Sequence, residues 1–167
     1  MIMIPGCPNA TEKNWRLTSE PTDEYNCFAH ALYDTKHWIW PDPDGKYSWP
    51  VDWGREDSVE CIVNFLLSVG YGDCSDHLLE QGWLKIAIYT LDGKPEHLAR
   101  QTKDAKWSSK MATGIDIEHD DLWVLAGGRL GKPTKFMKIE EGRKPVLPPL
   151  RPPPSKFITI SGGPLFT

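Results

Sequence analysis

An α+β domain is predicted, with N-terminal helices packed on an antiparallel β-sheet. Three observations predict it. Behind Ser58, residues Val59, Ile62, Val63, Phe65, Leu66 and Val69 recur at helical spacing and stop at Gly70. From residue 85 the period changes: "KIAIYTL" is β-branched and aromatic and runs into the turn dipeptide "DG". The chain of 167 residues is 40% hydrophobic, enough for one domain with a real core.

The elements follow in order. Residues 1–24 are proline-rich and polar, hence irregular or extended. "TDEYNCFAHALYD" opens a first helix, with Thr22 and Asp23 as caps and Phe28, Ala31 and Leu32 on one face. "HWIWPDPDGKYSWPVDWG" carries four tryptophans among prolines and glycines, which forbids a long regular element and predicts an aromatic loop beside that helix. The helix at 58–70 comes next. "KIAIYTL", "EHLARQT" and "AKWSSKMA" form a three-strand meander. "IDIEHDDLWVLAG" reads as a short helix with Asp116 near its start, and "TKFMKIEEG" as a further strand. The domain spans 1–141. Residues 142–167 form a proline-rich tail, extended through "KPVLPPLRPPP" and partly docked, with "KFITI" able to pair back as a strand.

Composition excludes several roles. The net charge is −4 and no lysine- or arginine-rich block occurs, so no nucleic-acid footprint is visible. The longest apolar runs are too short and too polar to span a bilayer. The start lacks the basic flank and apolar core of a signal peptide, which predicts a cytoplasmic protein, with leaderless secretion as an effector left open. Four cysteines at spacings that match no metal or disulfide framework predict free thiols. No metal and no cofactor is expected.

One constellation carries chemistry. Cys27 lies in the first turns of a helix, where free amides and the positive dipole end favour a thiolate. Among five histidines, His97 begins a strand after a turn, from which its ring could project across to a helix end. A third residue would hold the imidazole tautomer: Ser108, Ser109, Asp116 or His119. The amide of Cys27 with Asn26 would supply an oxyanion hole, and Trp49 and Trp107 would line a groove for an extended peptide. The structural alternative is that Cys27 is core, since free cysteine is among the most buried residue types. A metal site using His30, His97 or His119 with Cys27 is a weaker third option.

The series "YNCFAHAL", "GY..C", "E.GW.KIAIY" and "HLARQ…W.SK…IEH" resembles an uncharacterised bacterial family of papain-like fold, similar in layout to NlpC-type cell-wall peptidases and CHAP amidases. The resemblance spans residues 20–130. It implies a papain-like cysteine hydrolase fold, a nucleophile at Cys27, a general base at His97 and a polar third residue in the 108–110 region, here Ser109. The function expected is a thiol-dependent amide-bond hydrolase or transferase of the peptidase, amidase or deamidase type, acting on a protein or peptide. The alternative is a non-catalytic protein-binding module on the same fold, holding its partner through the aromatic loop or the proline-rich tail.

Overall fold

The computed structural model describes residues 3–151. Seven strands make one antiparallel sheet in the spatial order β1 (Trp15–Leu17), β7 (Asp116–His119), β6 (Trp107–Lys110), β5 (Lys94–Gln101), β4 (Trp83–Leu91), β8 (Lys132–Glu140) and β3 (Gly72–Cys74). A second ladder pairs β2 (Trp49–Pro50) with β9 (Leu150–Arg151). The α-helices are α1 (Cys27–Ala31) and α2 (Val59–Ser68), of 5 and 10 residues, and a 3-10 turn at Leu122–Leu125 lies between β7 and β8.

This corrects the fold class. With so little helix, the molecule is dominated by its antiparallel sheet and is not a papain-like α+β fold with N-terminal helices packed on a sheet. The first helix is shorter than its sequence suggests because residues 18–22 are drawn off along β7: the Thr18 amide donates to the Asp116 carbonyl at 2.8 Å and the Thr22 amide to the Gly114 carbonyl at 2.9 Å. Backbone engaged in that way cannot also start a helix, so α1 begins only after Asn26. It ends at Tyr33, which takes a left-handed φ of 62°. The helix read at Asp116 is also corrected. "DIEH" is strand β7, and only Leu122–Leu125 coil, capped by Asp121, whose carboxylate accepts from the Trp123 amide at 2.8 Å.

The meander forms as its pattern predicts. Asp92 and Gly93 have φ of 52° and 82°, the twist-matched turn that a two-residue hairpin needs between β4 and β5. β8 then returns beside β4 and β3 extends that edge, while β1 extends the other.

Both faces of the sheet are covered, which is why "KIAIY" is apolar without a break. Ile86, Ile88, Leu98, Met137 and Ile139 lie under α1, α2 and the aromatic loop. Ala87, Tyr89, Ala99, Trp107 and Ile117 lie under the N-terminal segment and the 122–130 region. Phe28 centres the first cluster, edge-on to Trp40, Trp49 and Phe65. Its full burial is worth roughly 1.5–3 kcal/mol. Leu147 and Leu150 pack against the same cluster. The "KFITI" strand read in the tail, at 156–160, lies outside the described residues.

Candidate functional site

Cys27 opens α1 and sits wholly inside the first core cluster, 0% exposed. Two effects compete for its proton. Burial raises the thiol from 9.0 to about 12, while the amides of Leu98, Phe28 and Cys27 itself lower it, and burial prevails. The helix-end effect that the sequence predicts is therefore present but outweighed. Asn26 serves as a cap and clamp. Its carbonyl oxygen accepts from Ala29 and Ile39 amides at 3.1 Å each, and its amide donates to the Ile39 carbonyl at 2.8 Å. Its amide is thus aimed at the Ile39 carbonyl, and the Cys27 thiol it would serve is wholly buried.

His97 lies on the other side of the sheet. Successive strand residues point to opposite faces. Leu98 faces α1 and Cys27, so its neighbour His97 faces away, edge-on to the Tyr89 ring at 5.3 Å in the second cluster. There its Nε2 meets Ser109 Oγ at 2.9 Å, Ser109 Oγ meets His119 Nε2 at 2.8 Å, and His119 Nδ1 donates to the Asp121 carbonyl at 2.9 Å. Of the expected triad, then, Ser109 does join His97, and β4 and β5 stand between this pair and Cys27. His97, Ser109 and His119 are each 0% exposed. Trp49 and Trp107 are core plates, 1% and 2% exposed, and not groove walls. The metal option loses its geometry in the same way, since Cys27 and His30 lie on one face and His97 and His119 on the other. Among the described residues no group of three His, Cys, Asp or Glu side chains is placed to hold an ion.

A different set converges on the α1 face. Lys110 ends β6 and Asp116 begins β7, directly opposite one another in the register. The Lys110 ammonium pairs with Asp116 Oδ1 at 3.5 Å, donates to the Gly114 carbonyl at 2.5 Å and lies 4.0 Å over the Tyr25 ring. The Tyr25 hydroxyl donates to Asp116 Oδ2 at 2.5 Å. His30 stacks against Tyr25, places Nε2 at 2.8 Å from Ser108 Oγ and holds Nδ1 at 3.7 Å from Asp116 Oδ2. The Arg100 guanidinium donates to the His30 carbonyl at 2.5 Å and covers the Tyr33 ring.

His30, Lys110 and Tyr25 are each pushed toward the neutral form. Burial and then the Arg100 cation bring His30 from 6.5 to about 4, against the pull of Asp116. Burial lowers Lys110 below the ordinary lysine value, with Asp116 opposing. Burial and then the hydrogen bond to Asp116 raise Tyr25 to about 12.

Tyr25 and Lys110 also line an open cleft of about 350 Å³, bounded by residues 21–26 on one side, 110–114 on the other, and the half-buried Trp38. Trp38 is fixed there by stacking on Tyr47 and by donating its indole N–H to the Asp23 carbonyl. A second indentation, at residues 79–84 with Lys103 and Glu141, has a solvated ion pair at its rim. Of the two, the cleft at Lys110 has the convergent polar groups with shifted pKa values that mark a site. Sequence reasoning missed Tyr25, offered His30 only as a metal ligand beside Cys27, and reached Lys110 only as the end of the 108–110 region. One signal was present: Lys110 and Asp116 flank a short turn, and residues that close a hairpin face each other.

A family model described as "Domain of unknown function (DUF7689)" matches residues 16–138. No curated protein and no solved structure matches the chain. None of the helices described is long and apolar enough to cross a membrane.

Proposed function

The chain belongs to the DUF7689 family, and on that premise we propose that it works as a binding module, with Cys27 serving as a core residue rather than a nucleophile. The observation that carries this reading is the sheet between the Cys27 thiol and the His97 imidazole. A thiol hydrolase needs nucleophile and base within hydrogen-bond reach. Here neither faces the other, neither reaches solvent, and the thiol is protonated at any physiological pH. The cleft between residues 21–26 and 110–114 is what remains to receive a ligand. It is large enough for one small organic group, with an indole wall and a few fixed polar atoms to orient it.

Benzyl alcohol serves as a probe of that shape. It is expected to shift the backbone amide resonances of residues 22–26 and 111–114 saturably, and Thr113→Trp, which fills the cleft from an exposed position, is expected to abolish the shifts. Shifts scattered over the surface, or unchanged by Thr113→Trp, would contradict the reading.

A further inference from the structure

We propose that Lys110 is the reactive group of this cleft, its ε-amine condensing reversibly with the carbonyl of a small neutral aldehyde or ketone whose body lies against Trp38. The inference rests on the binding reading of the same cleft and names its ligand class.

The cleft brings an amine, a carboxylate and a hydroxyl together. Imine formation requires a neutral amine, a base to take the ammonium proton and an acid to help water leave. The Lys110 side chain is 3% exposed and lines the cleft, and Asp116, 3.5 Å from its nitrogen, is the base. The Tyr25 hydroxyl, hydrogen-bonded to the same carboxylate at 2.5 Å, is the neighbouring acid. Asp116 takes one ammonium proton, and the amine lone pair then attacks the carbonyl carbon to give a carbinolamine. One proton moves from the attacking nitrogen to the carbinolamine oxygen, the proton held by Asp116 returns to it through the Tyr25 hydroxyl, and the oxygen leaves as water to give the protonated imine. A C–N double bond replaces the C–O double bond, and nothing is oxidised or reduced.

Burial disfavours the ammonium form, while the pairing with Asp116 holds the amine beside its base and opposes that shift. Lys85 is a useful contrast. It is equally buried, but it pairs at 2.8 Å with a half-exposed Asp76, does not line this cleft and keeps a raised pKa. The ligand is neutral because Asp116, Asp23 and Glu24 already place negative charge around the amine, and a further anion would be repelled.

The test treats the full chain with benzaldehyde and sodium cyanoborohydride at neutral pH and maps benzyl adducts by mass spectrometry. Lys110 is expected to be modified roughly tenfold faster than exposed Lys13 and Lys36. Thr113→Trp is expected to remove the Lys110 adduct and leave the others. Lys110→Arg keeps the charge and is expected to lose the fast site. If benzyl alcohol binds in the cleft but Lys110 reacts no faster than Lys13, the imine inference falls and the binding reading stands. If benzyl alcohol does not bind there either, both fall.

Discussion

Acidification from neutral pH toward 4 is expected to remove several kcal/mol of folding stability, most of it between pH 6.5 and pH 4. His30 and His119 are both held at about 4 in the fold, against 6.5 when unfolded, and burial is the leading cause for each. A depressed folded pKa means the unfolded chain takes up the proton first. Stability from such a group is therefore complete above 6.5, declines as pH falls and is gone below about 4. Each histidine contributes on the order of 3 kcal/mol at neutral pH. The depressed carboxylates Asp73, Asp76 and Asp120 do not blur this window. Their stabilisation is lost only as pH falls below their ordinary 3.8. Urea unfolding at a series of pH values reads the slope. His119→Gln, which keeps a polar group beside Ser109, is expected to remove about half of the acid sensitivity. A stability that stays level down to pH 4.5 would contradict the burial of these neutral rings.

Asp116→Ala is the substitution expected to cost most at the candidate site, about 3–5 kcal/mol, because it strands a buried ammonium. It also removes the acceptor of the Tyr25 hydroxyl. Asp116→Asn keeps the volume and an acceptor for Tyr25 and is expected to cost less. Asp73, paired with Lys135 on the surface, provides the control: Asp73→Ala is expected to cost under about 1 kcal/mol. Thermal unfolding of the three variants measures the order. Equal losses at Asp116 and Asp73 would mean that the network beside the cleft is not a buried one.

Elements with a strong local signal were legible. Ser58 caps α2 through the Cys61 amide, and the helix ends before Gly70, as the pattern of residues 58–70 requires. The strands at Trp83–Leu91, Lys94–Gln101 and Trp107–Lys110 follow from the β-branched and aromatic run "KIAIYTL", the alternation of "EHLARQT" and the Asp92-Gly93 turn. β1 and β3 have three residues each, too few to show a period, and they form because a neighbouring edge is available. β7 was misread because Asp116 resembles a cap, while Ile117 and His119 fit a two-residue period equally well.

The error that mattered for function was one of parity. Alternation along "EHLARQ" is visible in the sequence, but which face α1 covers is a tertiary fact, and a shift of one residue exchanges the two faces. Leu98, not His97, lies under Cys27. The same parity brings Ser108, Lys110 and Asp116 to the helix side and sends Ser109 to the other.

Alkylation of the native protein by iodoacetamide at neutral pH, with each cysteine followed by mass spectrometry, tests that separation most directly. The partly exposed Cys61 and Cys74 are expected to react, Cys27 to stay unmodified until the protein is unfolded, and His97→Ala to leave this order unchanged. Rapid modification of Cys27 in the folded protein, suppressed by His97→Ala, would contradict the account.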